Sequence, residues 1–341
     1  MIMKFFDPGV VMRMAIYSAF LVLLTLCNVY AKEQMMIVGS STVYPFTSYV
    51  AEAFTEATNN LNPIVESTGT RAGIALFCIG NGENTPDILN ASRAMSEQEY
   101  LTCKENNVSD ITELMLGFDG IVIAESYVNA DMSLTKEHLF LALAKEIPSK
   151  EGKLIKNPYM YWHEIDPSLP KRKILIYGPP TTSGTRDVLN EMVMEKSSQK
   201  FDAYKEKQGK YKEIRQDGAF IASGENDALI VYTLKIKKEA LGIFGFSFLE
   251  NNRGSLKGVS MDGISPSFET ISNRTYPLGR ALYLYVKNAH RTSTKGMDAF
   301  LKFYMDRQMI GKNGLLEIIG LVPMDENELE FVQKSLLKKE K

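Results

Sequence analysis

A hydroxyl- and glycine-rich turn, Thr181-Thr182-Ser183-Gly184-Thr185, follows an Ile-rich run that ends at Gly178-Pro179-Pro180. A helical pattern opens just after it, near Asp187, with Val188, Leu189, Met192 and Val193 on one face. The first amides of a helix have no partner within the helix and sit at the positive end of its dipole. Thr182, Ser183 and Thr185 add hydroxyls, and Gly184 lets the backbone come close to a ligand. The chemistry such a turn offers is the cradling of an oxyanion by neutral donors. An ordinary helix N-cap draws on the same residue types. Two further turns repeat the theme. Ser40-Ser41-Thr42 lies between the apolar residues 35–39 and a helical pattern carrying Pro45, Phe46, Val50, Ala53 and Phe54. Ser67-Thr68-Gly69-Thr70-Arg71-Ala72-Gly73 joins the extended Pro63-Ile64-Val65 to Ile74-Ala75-Leu76-Phe77. One such turn says little; three that can converge say considerably more.

The elements around these turns must bring them together. Short apolar strands alternate with helical patterns, which predicts an α/β fold with largely parallel sheets. In an open α/β sheet, ligands bind beyond the carboxyl ends of the strands, where these turns fall. Residues 85–93 read as a strand ending in polar groups, and residues 240–248 as a strand rich in aromatics. Two long apolar strands stand out: residues 114–124, with Gly117 and Gly120 inside, and residues 279–286. Helices are expected over residues 134–147, 228–234, 296–309 and 325–338.

Composition narrows the function classes. The chain has 341 residues, with 39 Lys and Arg against 41 Asp and Glu, a formal net charge of -2. The two signs intermix, so nothing marks a nucleic-acid surface. Lys4 and Arg13 precede the apolar residues 15–26, and Val29-Tyr30-Ala31 places small residues where a leader is cut, before the polar Lys32-Glu33-Gln34. That layout predicts a cleaved secretory signal peptide over residues 1–31, with Met12 or Met14 as alternative starts. The apolar run is short for a membrane anchor. Leu26 is too large for a lipoprotein site at Cys27. Export would leave Cys78 and Cys103 as the remaining cysteines, suggesting one disulfide, with two buried thiols as the alternative. No residue set presents a metal site, and no cofactor is expected. A hydrolase built on Ser183 would need a His base, but His138, His163 and His290 all lie outside the Ser/Gly turns.

In combination and order, these segments resemble the exported substrate-binding proteins of ABC transporters, specifically the phosphate-binding proteins of the phosphate-uptake system. The likeness runs along nearly the whole chain after residue 31. It rests on Gly39-Ser40-Ser41-Thr42, Gly69-Thr70-Arg71-Ala72-Gly73-Ile74, Asn90-Ala91-Ser92-Arg93, Thr182-Ser183-Gly184-Thr185 and Gly224-Glu225-Asn226-Asp227. The resemblance implies a two-lobe periplasmic-binding-protein fold of type II, with two crossover hinge strands at residues 114–124 and 279–286. One lobe would comprise residues 32–118 plus 283–341, the other residues 119–282. It further implies a periplasmic monomer that is not an enzyme, captures inorganic phosphate in the cleft and passes it to a membrane permease.

Carried over by residue, the family's phosphate ligands fall on Ser41, Thr42, Thr70, Ser183, Gly184 and Thr185. Two departures stand beside this match. Better-known members end the fourth segment in Ser-Asp, where this chain has Ser92-Arg93, as some family branches do. Those members also carry an Arg shortly before the Ser-Gly-Thr turn, at the place of Pro179. An exchange of places is therefore expected: Arg93 supplies the bidentate guanidinium, and Asp119 accepts the proton of hydrogen phosphate. Such an acceptor would repel fully ionised sulfate. Arg71 and Arg186 are further cation candidates. Competing readings are a protein for another oxyanion such as sulfate or molybdate, an exported phosphatase, and a scaffold that reuses the fold.

Overall fold

The computed structural model describes residues 32–224 and 227–337. The expected signal peptide, together with Glu225 and Asn226 of the fifth motif, lies outside them. Strands β1 (Met36–Gly39), β2 (Ile64–Ser67), β3 (Ile88–Ala91) and β4 (Ile111–Ser126) come first. The two-residue β5 (Ser133–Leu134) and the hairpin β6 (Glu146–Pro148) and β7 (Leu154–Lys156) follow. Then come β8 (Ile176–Gly178), β9 (Phe220–Ala222), β10 (Leu241–Gly245), β11 (Leu256–Gly258), β12 (Ser260–Met261) and β13 (Gly279–Lys287). The main sheet runs β2-β1-β3-β13-β4-β10-β8-β9, with β11 also on β4.

Strand β4 belongs to both ends of that order. Its first part pairs antiparallel with β13, from Ile111 opposite Lys287 to Gly120 opposite Gly279. From Ile121 onward it pairs instead with β10, and near its end with β11. The first half of the sheet adds parallel β1, β2 and β3; the second adds parallel β8 and β9. Strands β4 and β13 occupy the places of the two expected crossing strands; β4 changes partner along its length, while β13 pairs with β3 and β4. Their near-continuous apolar runs suit strands covered on both faces: Leu114, Leu116, Phe118, Val122, Ile123, Leu282 and Leu284 are all fully buried.

Helices cover these sheets. Tyr44–Thr58 starts with Pro in its first turn, where a missing N–H costs nothing, and buries Phe46, Val50, Ala51 and Phe54. Phe54 meets Phe300 of the helix Met297–Tyr304 edge-on, at 5.4 Å between ring centroids. Residues 246–248, expected to end a strand, instead open a helix, Phe246–Glu250. Near the C-terminus the chain leaves the helix Leu315–Ile318 and returns to β4: Phe118 and Val322 exchange two backbone hydrogen bonds, of 2.7 and 2.8 Å. This return had no signature in the sequence.

Cys78 and Cys103 form a disulfide across a separation of 25 residues. Both are buried in a small secondary cluster with Phe77, Leu89 and Tyr285. Closing a loop of this length contributes roughly 3 kcal/mol in the chain-entropy account. Beside it, Asp87 is fully buried and takes hydrogen bonds from Lys32, Thr294, His290 and the Met36 amide. These bonds hold its carboxyl below the usual carboxylate range despite burial.

Candidate functional site

The three hydroxyl-rich turns all follow strands of the main sheet: β1, β2 and β8. Gly39 closes β1 at φ +130°, and a Cβ there would sit 2.1 Å from the Asn90 carbonyl oxygen. The turn therefore needs glycine so that β1 and β3 can lie against each other just before Ser40. The buried Ser40 hydroxyl accepts from the amides of Thr42 and Val43, which fixes the loop ahead of the helix. In the third turn the Ser183 hydroxyl caps the helix Gly184–Leu189 by accepting from the Thr185 amide.

The first and third turns meet. The Ser41 hydroxyl donates to Asp187 at 2.5 Å. Gly184 lies so close that a Cβ on it would be 3.1 Å from the Ser41 carbonyl oxygen. Between and beneath them is a cavity of about 610 Å³, lined by Ser41, Thr42, Ser183, Gly184, Thr185 and Asp119, with Ser67 of the second turn and Asp227 on its walls. Ile319 and Gly320 of the C-terminal return also line it. Six of the eight expected site residues are therefore gathered around one space. Thr70 is not on its wall; its hydroxyl is tied to Ser92, 3.0 Å away.

Arg93, expected to supply the guanidinium, is not on the cavity wall. Its guanidinium makes a two-point pair with Glu99, both contacts at 2.8 Å. Glu99 also closes the capping box of the helix Glu97–Glu105, accepting from the Ser96 amide. Arg93 and the Ser96 amide together hold the Glu99 carboxyl down at about 2. The pair outcompetes the cleft because its two partners are six residues apart and already aligned.

Arg280, on β13 directly opposite Asp119 on β4, does not line the cavity but contacts two residues that do, Thr42 and Asp119. Its side chain is 9 % exposed and lies 3.7 Å from Asp119. It also donates to Thr42 of the first turn at 2.5 Å and to Glu191 beyond the third turn at 2.9 Å. Its Nε is buried without a hydrogen-bond partner among the described residues. Arg280 therefore ties β4, the first turn and the segment after the third turn together, with its Nε facing Asp119. A sequence signal existed: it is the one charged residue inside the apolar run 279–286. Arg186 plays a different part. It is buried behind the turn, donating to the Pro179 carbonyl and lying 5.3 Å over the Phe220 ring, and burial lowers its pKa.

Burial raises the pKa of Asp119, and Arg280 opposes the rise. Asp227 is pushed up to about 6, first by burial and then by the Asp119 charge, against one hydrogen bond from the Gly245 amide. None of the three histidines lines the cleft: His290 is on Asp87, His138 caps a helix with Thr135, and His163 lies beside Tyr161 with the two rings tilted. Among the described residues, no group of three or more His, Cys, Asp or Glu could hold a metal ion, and no helix is long and apolar enough to cross a membrane.

A family model of the PBP superfamily domain matches residues 30–308. The chain belongs to the PBP superfamily. Among related members, Protein SphX of Synechococcus elongatus is 30% identical over 292 residues, covering 84% of this chain and 76% of that protein. The phosphate-binding protein PstS of Staphylococcus saprophyticus is 27% identical over 304 residues, covering 87% of this chain and 82% of that one. A solved superfamily structure, described as a possible phosphate binding protein from Planctomyces limnophilus, superposes with a TM-score of 0.74 at 25% identity, over 90% of this chain and 99% of that one. An ABC-type phosphate transport receptor from Vibrio cholerae shares the fold, with a TM-score of 0.57 at 18% identity over 85% of this chain and all of the other. As a PBP-superfamily member the chain has the type II binding-protein fold, a mixed α/β architecture.

Proposed function

We propose that this protein is an exported solute-binding protein that captures inorganic phosphate in the cleft between its two halves and delivers it to an ABC permease. The observation that carries the reading is the convergence of Ser41, Thr42, Ser183, Gly184 and Thr185 on one cavity with Arg280 against its first turn. Hydroxyls and helix-start amides supply neutral donors for phosphate oxygens, and a single guanidinium supplies the countercharge. The relatives named as phosphate-binding proteins support this ligand. Residues 1–31 would be removed on export, and the protein would act as a monomer that closes on its ligand.

Asp119 is the residue that sets phosphate apart from sulfate in this account. A carboxylate accepts a phosphate O–H but finds no donor on fully ionised sulfate. Titration calorimetry at neutral pH is expected to show one phosphate bound per chain and no competition from sulfate in excess. Sulfate binding as tight as phosphate would make the cleft a general oxyanion site. Turnover of a chromogenic phosphate ester would return the phosphatase reading.

A further inference from the structure

Asp227 lines the same cavity as Asp119, yet the two are placed differently. Asp119 sits beside Arg280. Asp227 opens the helix Asp227–Ile236 and spends one oxygen on the Gly245 amide, at 3.0 Å. Among the described residues its other oxygen accepts no hydrogen bond and no cation pairs with it. The charged side chains on the elements packed around it are engaged elsewhere: Glu250 with Arg253, Lys257 with Asp131, and Glu125 with Arg172. Lys235 of its own helix holds Asn252. The charge that acts on Asp227 is that of Asp119, across the cavity.

A partly buried carboxylate on the cavity wall, with an acceptor open to the cavity and no cation beside it, is poised to take a hydrogen bond from a ligand. That ligand must bring the proton. Dihydrogen phosphate brings two O–H donors and two unprotonated oxygens that share one negative charge. Resting on the phosphate reading above, we propose that Asp227 is a second ligand-facing acceptor, so that the cleft holds phosphate with two protons, one O–H bonded to Asp119 and one to Asp227. The two unprotonated oxygens then take the guanidinium of Arg280 and the donors of the first and third turns. Two acceptors exclude sulfate twice over and disfavour the phosphate dianion as well. At about pH 8, where hydrogen phosphate predominates, Asp227 is ionised before binding, so the second phosphate O–H that it accepts must take its proton from solution. Forming the complex there takes one proton from solution per phosphate bound. The raised pKa of Asp227 fits an environment that favours a proton on this side of the cleft.

The test is phosphate calorimetry on the full mature chain at about pH 8, in two buffers that differ in ionisation heat. The wild type is expected to take up about one proton per phosphate, and its affinity to rise on the order of tenfold from about pH 8 to about pH 6. Asp227→Asn is expected to bring the uptake close to zero and flatten the pH profile. Uptake near zero in the wild type, or unchanged uptake in D227N, would overturn the assignment of Asp227. Should D227N not fold, the wild-type proton count decides alone. Absence of phosphate binding at every pH would instead refute the phosphate reading itself.

Discussion

Replacing Arg280 by alanine is expected to weaken phosphate binding roughly a thousandfold, about 4 kcal/mol. The size follows from what the side chain holds. Arg280 contacts the first turn at Thr42, the segment after the third turn at Glu191, and Asp119 on the neighbouring strand. Its removal takes the countercharge from the ligand and leaves Asp119 as a buried carboxylate with no cation. Repulsion then adds to the lost attraction. Arg280→Lys should recover only part of the affinity, because an ammonium cannot serve Thr42, Glu191 and the ligand from one planar fork. Calorimetry with phosphate reads the effect, and melting of the ligand-free variants checks that they fold. Binding within about threefold of wild type in R280A would remove Arg280 from the site.

The second large effect is expected from Gly184→Val. A Cβ at this position already approaches the Ser41 carbonyl oxygen to 3.1 Å and the Thr42 Cα to 3.3 Å, so branched methyl groups have nowhere to go while the two turns touch. Overpacking of this kind costs about 1–3 kcal/mol, which lowers affinity roughly tenfold to a hundredfold. The contact joins the two halves rather than any element to its own core. Ligand-free thermal stability should therefore change little while phosphate affinity falls. A variant that loses stability but keeps its affinity would show that Gly184 serves its own helix and not closure.

The turns were legible in the sequence because their chemistry is local. Ser183 caps the helix that follows it, Gly39 is forced by the close approach of β1 and β3, and each lies where a strand hands over to a helix. The two crossing strands were legible for a related reason: both faces are covered, so their apolar runs are unbroken by alternation. What the sequence hid depends on pairing over long distances. Arg280 opposes Asp119 only because β13 and β4 align in that register, and the Ile319–Gly320 wall depends on Val322 reaching back to Phe118. Arg93 misled because the residue that claims it, Glu99, lies in a helix whose capping box was not read. Asp227 was visible as part of a motif, but its role depends on the cavity it opens into and on the Asp119 charge across it.

A crystal structure of the mature protein grown with phosphate tests the central claim most directly. A tetrahedral anion is expected between the first and third turns, within hydrogen-bond distance of Ser41, Thr42, Ser183, Thr185 and the Arg280 guanidinium. An anion bound away from these residues, or an empty cleft under saturating phosphate, would contradict the account.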